Sequence, residues 1–193
     1  MPRKKKFNQD VVLQKAMELF WKKGYYDTSI QDLIDFLGIN RASLYDTFGG
    51  KKRLFEKALK LYRDEACEGL AAFLDTQEDV REGLRQVFQK IITDDQSDSD
   101  RKGCFVVNTT TEMLPEDPSF QQTLVYHRQF IVSLFHDFLK KGQEQGQFSA
   151  EKDIQLIASL LYTLMTGLRV IAKTQSDPSE SFASVEAVLS LLD

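Results

Sequence analysis

Between residues 28 and 53 the chain gathers side chains suited to gripping a phosphate backbone and reading base edges. Thr28 and Ser29 stand at one predicted helix start, and Lys51, Lys52 and Arg53 at another. At such positions hydroxyls, ammonium groups and free backbone N–H groups bind phosphate well, and they position a duplex without specifying its sequence. Between them, Arg41 is long enough to reach a guanine edge or a phosphate. Ala42 could pack on a thymine methyl, and Asp46 could accept from a cytosine amine or merely cap or repel. Ser43 and Tyr45 flank that face.

These residues need two short helices to carry them. The first is predicted from Thr28, whose spacing to Gln31 suggests a capping box, and it turns Ile30, Leu33, Ile34 and Leu37 inward before Gly38. The second is capped by Asn40, with Ile39 and Leu44 as a hydrophobic staple, and stops at Gly49-Gly50. At about 100° per residue, with Leu44 and Phe48 inward, its outer face centres on Ala42 and Asp46. Two helices of this size joined by Gly38-Ile39 have the form of a helix-turn-helix. The plainer alternative is a helical hairpin with Tyr45 and Phe48 in the core and the basic residues as a solvated face. Ahead of the pair, a helix capped by Asn8 carries Val12, Ala16, Leu19 and Phe20 and ends with Lys22, Lys23 and Gly24. A fourth runs from Lys51 to about Leu74.

The segment TSIQDLIDFLGINRASLYDTFGGKKRLFEKAL, Thr28 to Leu59, resembles the DNA-binding region of the TetR/AcrR family of bacterial transcriptional regulators. The resemblance rests on the Thr-initiated helix, Leu37-Gly38-Ile39, Ser43-Leu44-Tyr45, the Tyr45-to-Phe48 spacing and Lys51 before an apolar helix. It extends back through the first helix to Gly24-Tyr25 and covers about a third of the chain. It implies that Thr28, Tyr45 and Lys51 contact phosphates and that Arg41, Ala42 and Ser43 meet bases. It also implies that the remaining helices bind a small-molecule inducer and form a homodimer on a palindromic DNA operator. The ligand does not transfer with the fold.

Composition fits this reading. With 42% apolar and 28% charged residues and only 10 Gly and 4 Pro in 193, the chain is neither disordered nor low-complexity. The net charge of −4 hides an asymmetry. Residues 1 to 63 hold 14 Lys/Arg against 7 Asp/Glu, and the rest hold 11 against 22. The basic part attracts a phosphate backbone and the acidic part repels it, which biases the surface that faces DNA. Lys4, Lys5 and Lys6 read as a phosphate-binding arm or a tail. The N-terminus lacks the apolar stretch of a signal peptide, and Cys67 and Cys104 make neither a disulfide framework nor a C-x-x-C site. A cytoplasmic home is expected, without a membrane. His127 and His136, nine apart, do not share the spacing of a helical metal pair. No metal, cofactor or catalytic residue is expected.

Beyond the fourth helix, periodicity predicts helices over Val80 to Ile92, a short stretch from Gly103 to Leu114, Ser119 to Lys141, Asp153 to Thr174, and one opened by Asp177-Pro178. Asp94 to Asp100 reads as a mobile acidic loop. The fold class is all-α with about nine helices. Residues 1–50 form the helix-turn-helix domain, and residues 51–193 form the regulatory and dimerisation domain.

Ligand-lining candidates are Cys104, Phe105 and Asn108 on the short helix and Tyr126, His127 and Phe130 on the long one, with His136 nearby. Core packing competes with that role for each. Cys104 also admits two readings. It is an activated thiol at a helix N-terminus that senses electrophiles or oxidants, aided by Lys173 if the fold brings it close, or it is a small buried apolar residue. The last two helices carry apolar faces too large for one chain's core, with Tyr162, Met165, Val185 and Leu189 as candidates for a four-helix dimer interface. Such a dimer sets two recognition helices about 34 to 36 Å apart. A small all-α enzyme and a helical interaction module without DNA binding are the other function classes. No nucleophile triad, phosphate loop or paired-carboxylate motif supports the enzyme.

Overall fold

The computed structural model describes residues 7–174 and 177–193, which leaves Lys4, Lys5 and Lys6 outside the described residues. Among those described there are nine α-helices and no strand. They are α1 (Gln9–Lys23), α2 (Ile30–Leu37), α3 (Arg41–Phe48), α4 (Lys51–Asp75), α5 (Val80–Ser97), α6 (Phe105–Glu112), α7 (Gln121–Glu144), α8 (Ile154–Ile171) and α9 (Ser179–Leu189).

Helix ends follow local chemistry. Asn8 accepts from Asp10 N and Val11 N, and Lys22 and Lys23 close α1 ahead of Gly24. Asn40 accepts from Ser43 N at 2.8 Å. The capping box lies one residue later than the Thr28–Gln31 spacing suggests. Ser29 is the N-cap and Asp32 its reciprocal partner. Thr28 is fully buried, and its hydroxyl donates to the Gly24 carbonyl, so it ties down the α1–α2 turn. Gly38 between α2 and α3 holds φ 66° and ψ 31°. This left-handed geometry costs a residue with a Cβ about 1 kcal/mol or more.

Two cores organise the chain. The first joins Val12, Ala16 and Phe20 of α1 to Leu33, Leu37, Leu44 and Phe48 of α2–α3 and to Leu54, Phe55 and Leu59 of α4. It also takes in Phe105, Val106, Met113, Phe120 and Leu124. Phe55 lies at its centre, with ring centroids 5.1 Å from Phe20, 5.0 Å from Tyr25, 5.3 Å from Phe105 and 5.8 Å from Phe120, all edge to face. The second core packs α5, α7, α8 and α9 around Phe88, Phe135, Leu139 and Leu161.

The acidic segment differs from expectation. Helix α5 continues through Asp94 to Ser97 because Lys90 pairs with Asp94 one turn away and Asp95 is buried against Arg169 of α8 at 3.0 Å. Charge neutralisation therefore orders a stretch whose composition reads as a loop. Helix α9 begins at Ser179 with Pro178 as its N-cap.

Helix α8 is also less enclosed than its sequence suggests. It is long and apolar enough to cross a membrane, yet it packs on α5, α7 and α9. Leu156, Leu160, Val170 and Ile171 remain exposed. Leu160, Thr163, Gly167 and Ile171, spaced three and four apart, line an open groove of about 360 Å³ against Glu180, Ser184 and Val188 of α9.

Candidate nucleic-acid interface

Helix α3 turns Leu44 and Phe48 into the core, at 0% and 4% exposure, and leaves Arg41, Ala42, Tyr45 and Asp46 exposed and Ser43 half-buried. Tyr45 therefore belongs to the outer face, and the plain hairpin with a core tyrosine is excluded. The Arg41 guanidinium carbon lies 5.8 Å from the centre of the Tyr45 ring one turn on, which holds the two side chains on one face as a cation–π pair. Gly50 secures the tyrosine from below. At φ 103° it approaches so closely that a Cβ there would meet the Tyr45 ring at 3.2 Å.

The flanking helix starts carry the phosphate-seeking groups. Ser29 is exposed, and its amide and hydroxyl both donate to Asp32 Oδ2, at 2.7 and 2.6 Å. Those hydrogen bonds, with one from Lys23, hold the Asp32 carboxyl well below the usual carboxylate range. Thr28 shows no side-chain surface and so lacks the exposure a phosphate contact needs. At the start of α4, Lys51 is half-buried with its ammonium 4.2 Å from the Tyr25 ring centre, and burial lowers its pKa. Lys52 is exposed but engaged. It meets Asp117 Oδ2 at 2.6 Å and Ser119 Oγ at 3.2 Å, in the connector that follows α6. That partnership holds the Asp117 carboxyl down to about 2. Asp117 and Ser119 lie more than sixty residues from Lys52, and only the fold reveals them as its partners.

The α1–α2 turn is joined to α6 as well. Glu112 accepts from the Tyr26 amide at 2.8 Å, and the Trp21 indole N–H donates to the Gly103 carbonyl at 3.0 Å. Lys22 pairs with Asp100 at 2.8 Å. The α1–α3 segment thus rests on α6 and the connector before it, where several ligand candidates lie.

Those candidates do not converge on one cavity. Cys104 is the half-buried N-cap of α6, beside the buried phenol of Tyr62, whose pKa is raised by burial. Phe105 is 2% exposed and belongs to the first core, where it packs on Phe55 and Tyr62; it is not free to line a pocket. Asn108 donates to the Lys102 carbonyl and accepts from Lys173 Nζ, at 2.8 and 2.6 Å. On the other side, exposed Tyr126 and Phe130 line an open groove of about 240 Å³ with Arg63, Cys67 and Ala71. His127 points inward, 6% exposed, with Nδ1 3.6 Å from Cys67 Sγ. Burial, with Arg63 adding to it, lowers its pKa to about 4. His136 is half-buried beside Asp137.

The dimer candidates are corrected in part. Val185 and Leu189, 2% and 1% exposed, are consumed by the second core of their own chain and cannot meet a second copy. Tyr162 and Met165 are half-buried against the same core. Within α8 and α9, an exposed apolar face remains on α8, from Leu160 to Ile171.

Comparison with known proteins agrees with this architecture. The model of bacterial regulatory proteins of the tetR family matches residues 12–58, and that of tetracyclin repressor-like C-terminal domains matches residues 81–188. The HTH-type transcriptional regulator YezE of Bacillus subtilis is 33% identical over 194 residues, covering all of both chains. The HTH-type transcriptional repressor ComR of Escherichia coli is 30% identical across 89% of this chain and 82% of its own. Among solved structures, the TetR family transcriptional regulator CifR, as a cysteine mutant complexed with 26bp double-strand operator DNA, superposes with a TM-score of 0.86. It shows 30% identity over 97% of this chain and 98% of that one. The exposed face of α3, the capped helix starts around it and the two matched domains together lead to one conclusion: the chain belongs to the TetR family of bacterial regulatory proteins.

Proposed function

We propose that this protein is a ligand-responsive transcriptional repressor, a regulator and not a catalyst, which grips a palindromic operator as a homodimer in the cytoplasm. Residues 1–50 form the reading domain and residues 51–193 the regulatory one. The observation that carries this reading is the solvent face of α3, where Arg41, Ala42, Tyr45 and Asp46 stand exposed over two buried anchors, Leu44 and Phe48. Arg41, Ala42 and Ser43 meet base edges, with Asp46 on the same face, and Tyr45, Ser29, Lys51 and Lys52 hold the backbone. The similarity to the transcriptional repressor ComR and to CifR, the latter complexed with operator DNA, supports the assignment. A second copy covers the Leu160–Ile171 face of α8, with Tyr162 and Met165 at its margin. Inducer binding favours one of two arrangements of head and regulatory helices, and the Tyr126–Phe130 groove and the Cys104–Asn108 helix start are the surfaces through which it acts.

The test is selection of bound sequences from a random DNA pool, followed by gel shifts at rising salt. A two-fold symmetric site bound far above random duplex at moderate salt is expected, and a purified dimer without such a preference overturns the proposal. A second reading, thiol sensing, draws on Cys104 standing at the α6 N-cap with no side-chain cap bond of its own. Oxidant-driven release from DNA that persists in Cys104→Ser removes it.

A further inference from the structure

We propose that the cleft between the reading head and the regulatory helices is a binding site for a small phosphorylated molecule, held chiefly by Arg101 and Lys173. The cleft is open, about 280 Å³, and lies between the end of α1, the α5–α6 connector, α6 and the end of α8. Five cations line it, Lys22, Lys23, Arg101, Lys102 and Lys173, against two carboxylates, Asp100 and Glu112. Three of these five cations, Arg101, Lys102 and Lys173, come from residues 64–193, where acidic residues outnumber basic ones two to one.

Not all five are available. Lys22 is paired with Asp100, Lys102 with Asp98 at 3.3 Å, and Lys23 with Asp32 at 2.9 Å. Arg101 and Lys173 meet no carboxylate among the described residues. Arg101 Nη1 reaches only the Lys173 carbonyl, at 3.4 Å, and Lys173 Nζ donates to the neutral amide of Asn108. Both cations therefore line the cleft without a direct carboxylate partner among the described residues. Arg101 is also the one described non-glycine residue with positive φ, 48°, a conformation that persists only where the surroundings impose it.

The Arg101 guanidinium fork and the Lys173 ammonium, both lining this cleft, are matched by a multiply charged tetrahedral anion. The open, largely polar walls suit a hydrated phosphoryl group better than an apolar inducer. Occupancy has a route to the DNA face. Lys23 is shared between the cleft and Asp32, and Asp32 closes the capping box on Ser29. A phosphate that draws Lys23 inward loosens that box. This regulatory step rests on the operator-binding reading above, while the binding step does not.

The experiment titrates the full-length protein with inorganic pyrophosphate by calorimetry, with sulfate at matched ionic strength as the control, and measures operator affinity separately by anisotropy. Saturable pyrophosphate binding is expected, weakened at least tenfold in Arg101→Ala/Lys173→Gln. That variant should keep the wild-type unfolding midpoint and, without pyrophosphate, operator affinity within twofold of wild type. Lys173→Gln alone, which keeps a donor to Asn108, should show a smaller loss. No saturable binding to the wild type, or equal affinity in the double variant, overturns the site. A double variant that loses operator affinity without pyrophosphate also overturns it, because the cleft is then a contact for the DNA backbone. Failure of the wild type to bind any operator sinks the functional reading and leaves the calorimetric result standing.

Discussion

Lys52 Nζ stands 2.6 Å from Asp117 Oδ2, so a cation suited to a DNA phosphate is already engaged by the connector that follows α6. The carboxylate and the phosphate compete for one ammonium. Asp117→Asn is expected to raise operator affinity severalfold at low salt, with the difference shrinking as salt screens the contact. Anisotropy titrations across a salt series check this, and unchanged affinity at every salt concentration contradicts it.

Arg41 carries a sharper expectation because its guanidinium lies over Tyr45 on the exposed face of α3. Arg41→Ala should cost about 1 to 3 kcal/mol of specific binding. If Arg41 reads a base, the loss is confined to one position of the selected site. If it holds a phosphate, affinity falls for all sequences and the salt slope drops by about one. Repeating the site selection with the variant separates the two.

Phe55 touches aromatic rings from α1, α6 and the start of α7. Truncation to alanine leaves a cavity where four edge-to-face contacts meet, and a loss of about 3 to 5 kcal/mol in unfolding free energy is expected. Urea unfolding monitored by circular dichroism measures it. A loss under about 1 kcal/mol would mean that the two halves do not share this core.

His127 gives the stability a pH dependence. Its folded pKa is lowered to about 4 by burial and by Arg63, while the unfolded chain takes up the same proton near about 6.5. Between those values the unfolded state binds more protons, so stability is full above about pH 6.5 and falls as pH drops towards about 4. The contribution is at most about 3 kcal/mol. In His127→Gln the slope of the urea midpoint across that window should flatten, and an unchanged slope assigns the effect to other groups.

The α8 face supplies a test of assembly. Leu160 is exposed on the groove wall, and Gly167 has open space where a Cβ would stand. Leu160→Glu should shift the protein from dimer to monomer in sedimentation and weaken operator binding, because the two half-sites are no longer gripped by one body. A dimer of wild-type strength places the interface elsewhere.

Much of the fold was legible because helix ends are local events. Asn8 and Asn40 accept from first-turn amides at their side-chain oxygens, Gly24 and Gly49 close their helices through their own N–H groups at positive φ, and the structure puts boundaries where they stand. Thr28 and Ser29 defeated the same reasoning by one residue. Both are hydroxyl residues with a suitable partner three positions on, and what separates them is the Gly24 carbonyl that takes the Thr28 hydroxyl. The outer face of α3 followed from Leu44 and Phe48 alone. Val185 and Leu189 were misassigned because periodicity marks an apolar stripe without saying which partner covers it, and α5 and α8 of the same chain do so. The Lys52–Asp117 and Arg169–Asp95 pairs join residues more than sixty positions apart, a separation over which spacing carries no signal.

The first core also sets an order of events during synthesis. Phe20 and Phe55 are sealed in part by Phe105, Phe120 and Leu124, so a nascent chain exposes those rings until residue 124 has left the ribosome. Until then the head lacks that part of its apolar cover. A prematurely terminated product therefore carries an open aromatic patch and is a substrate for chaperones and proteases, rather than a free-standing competitor for the operator.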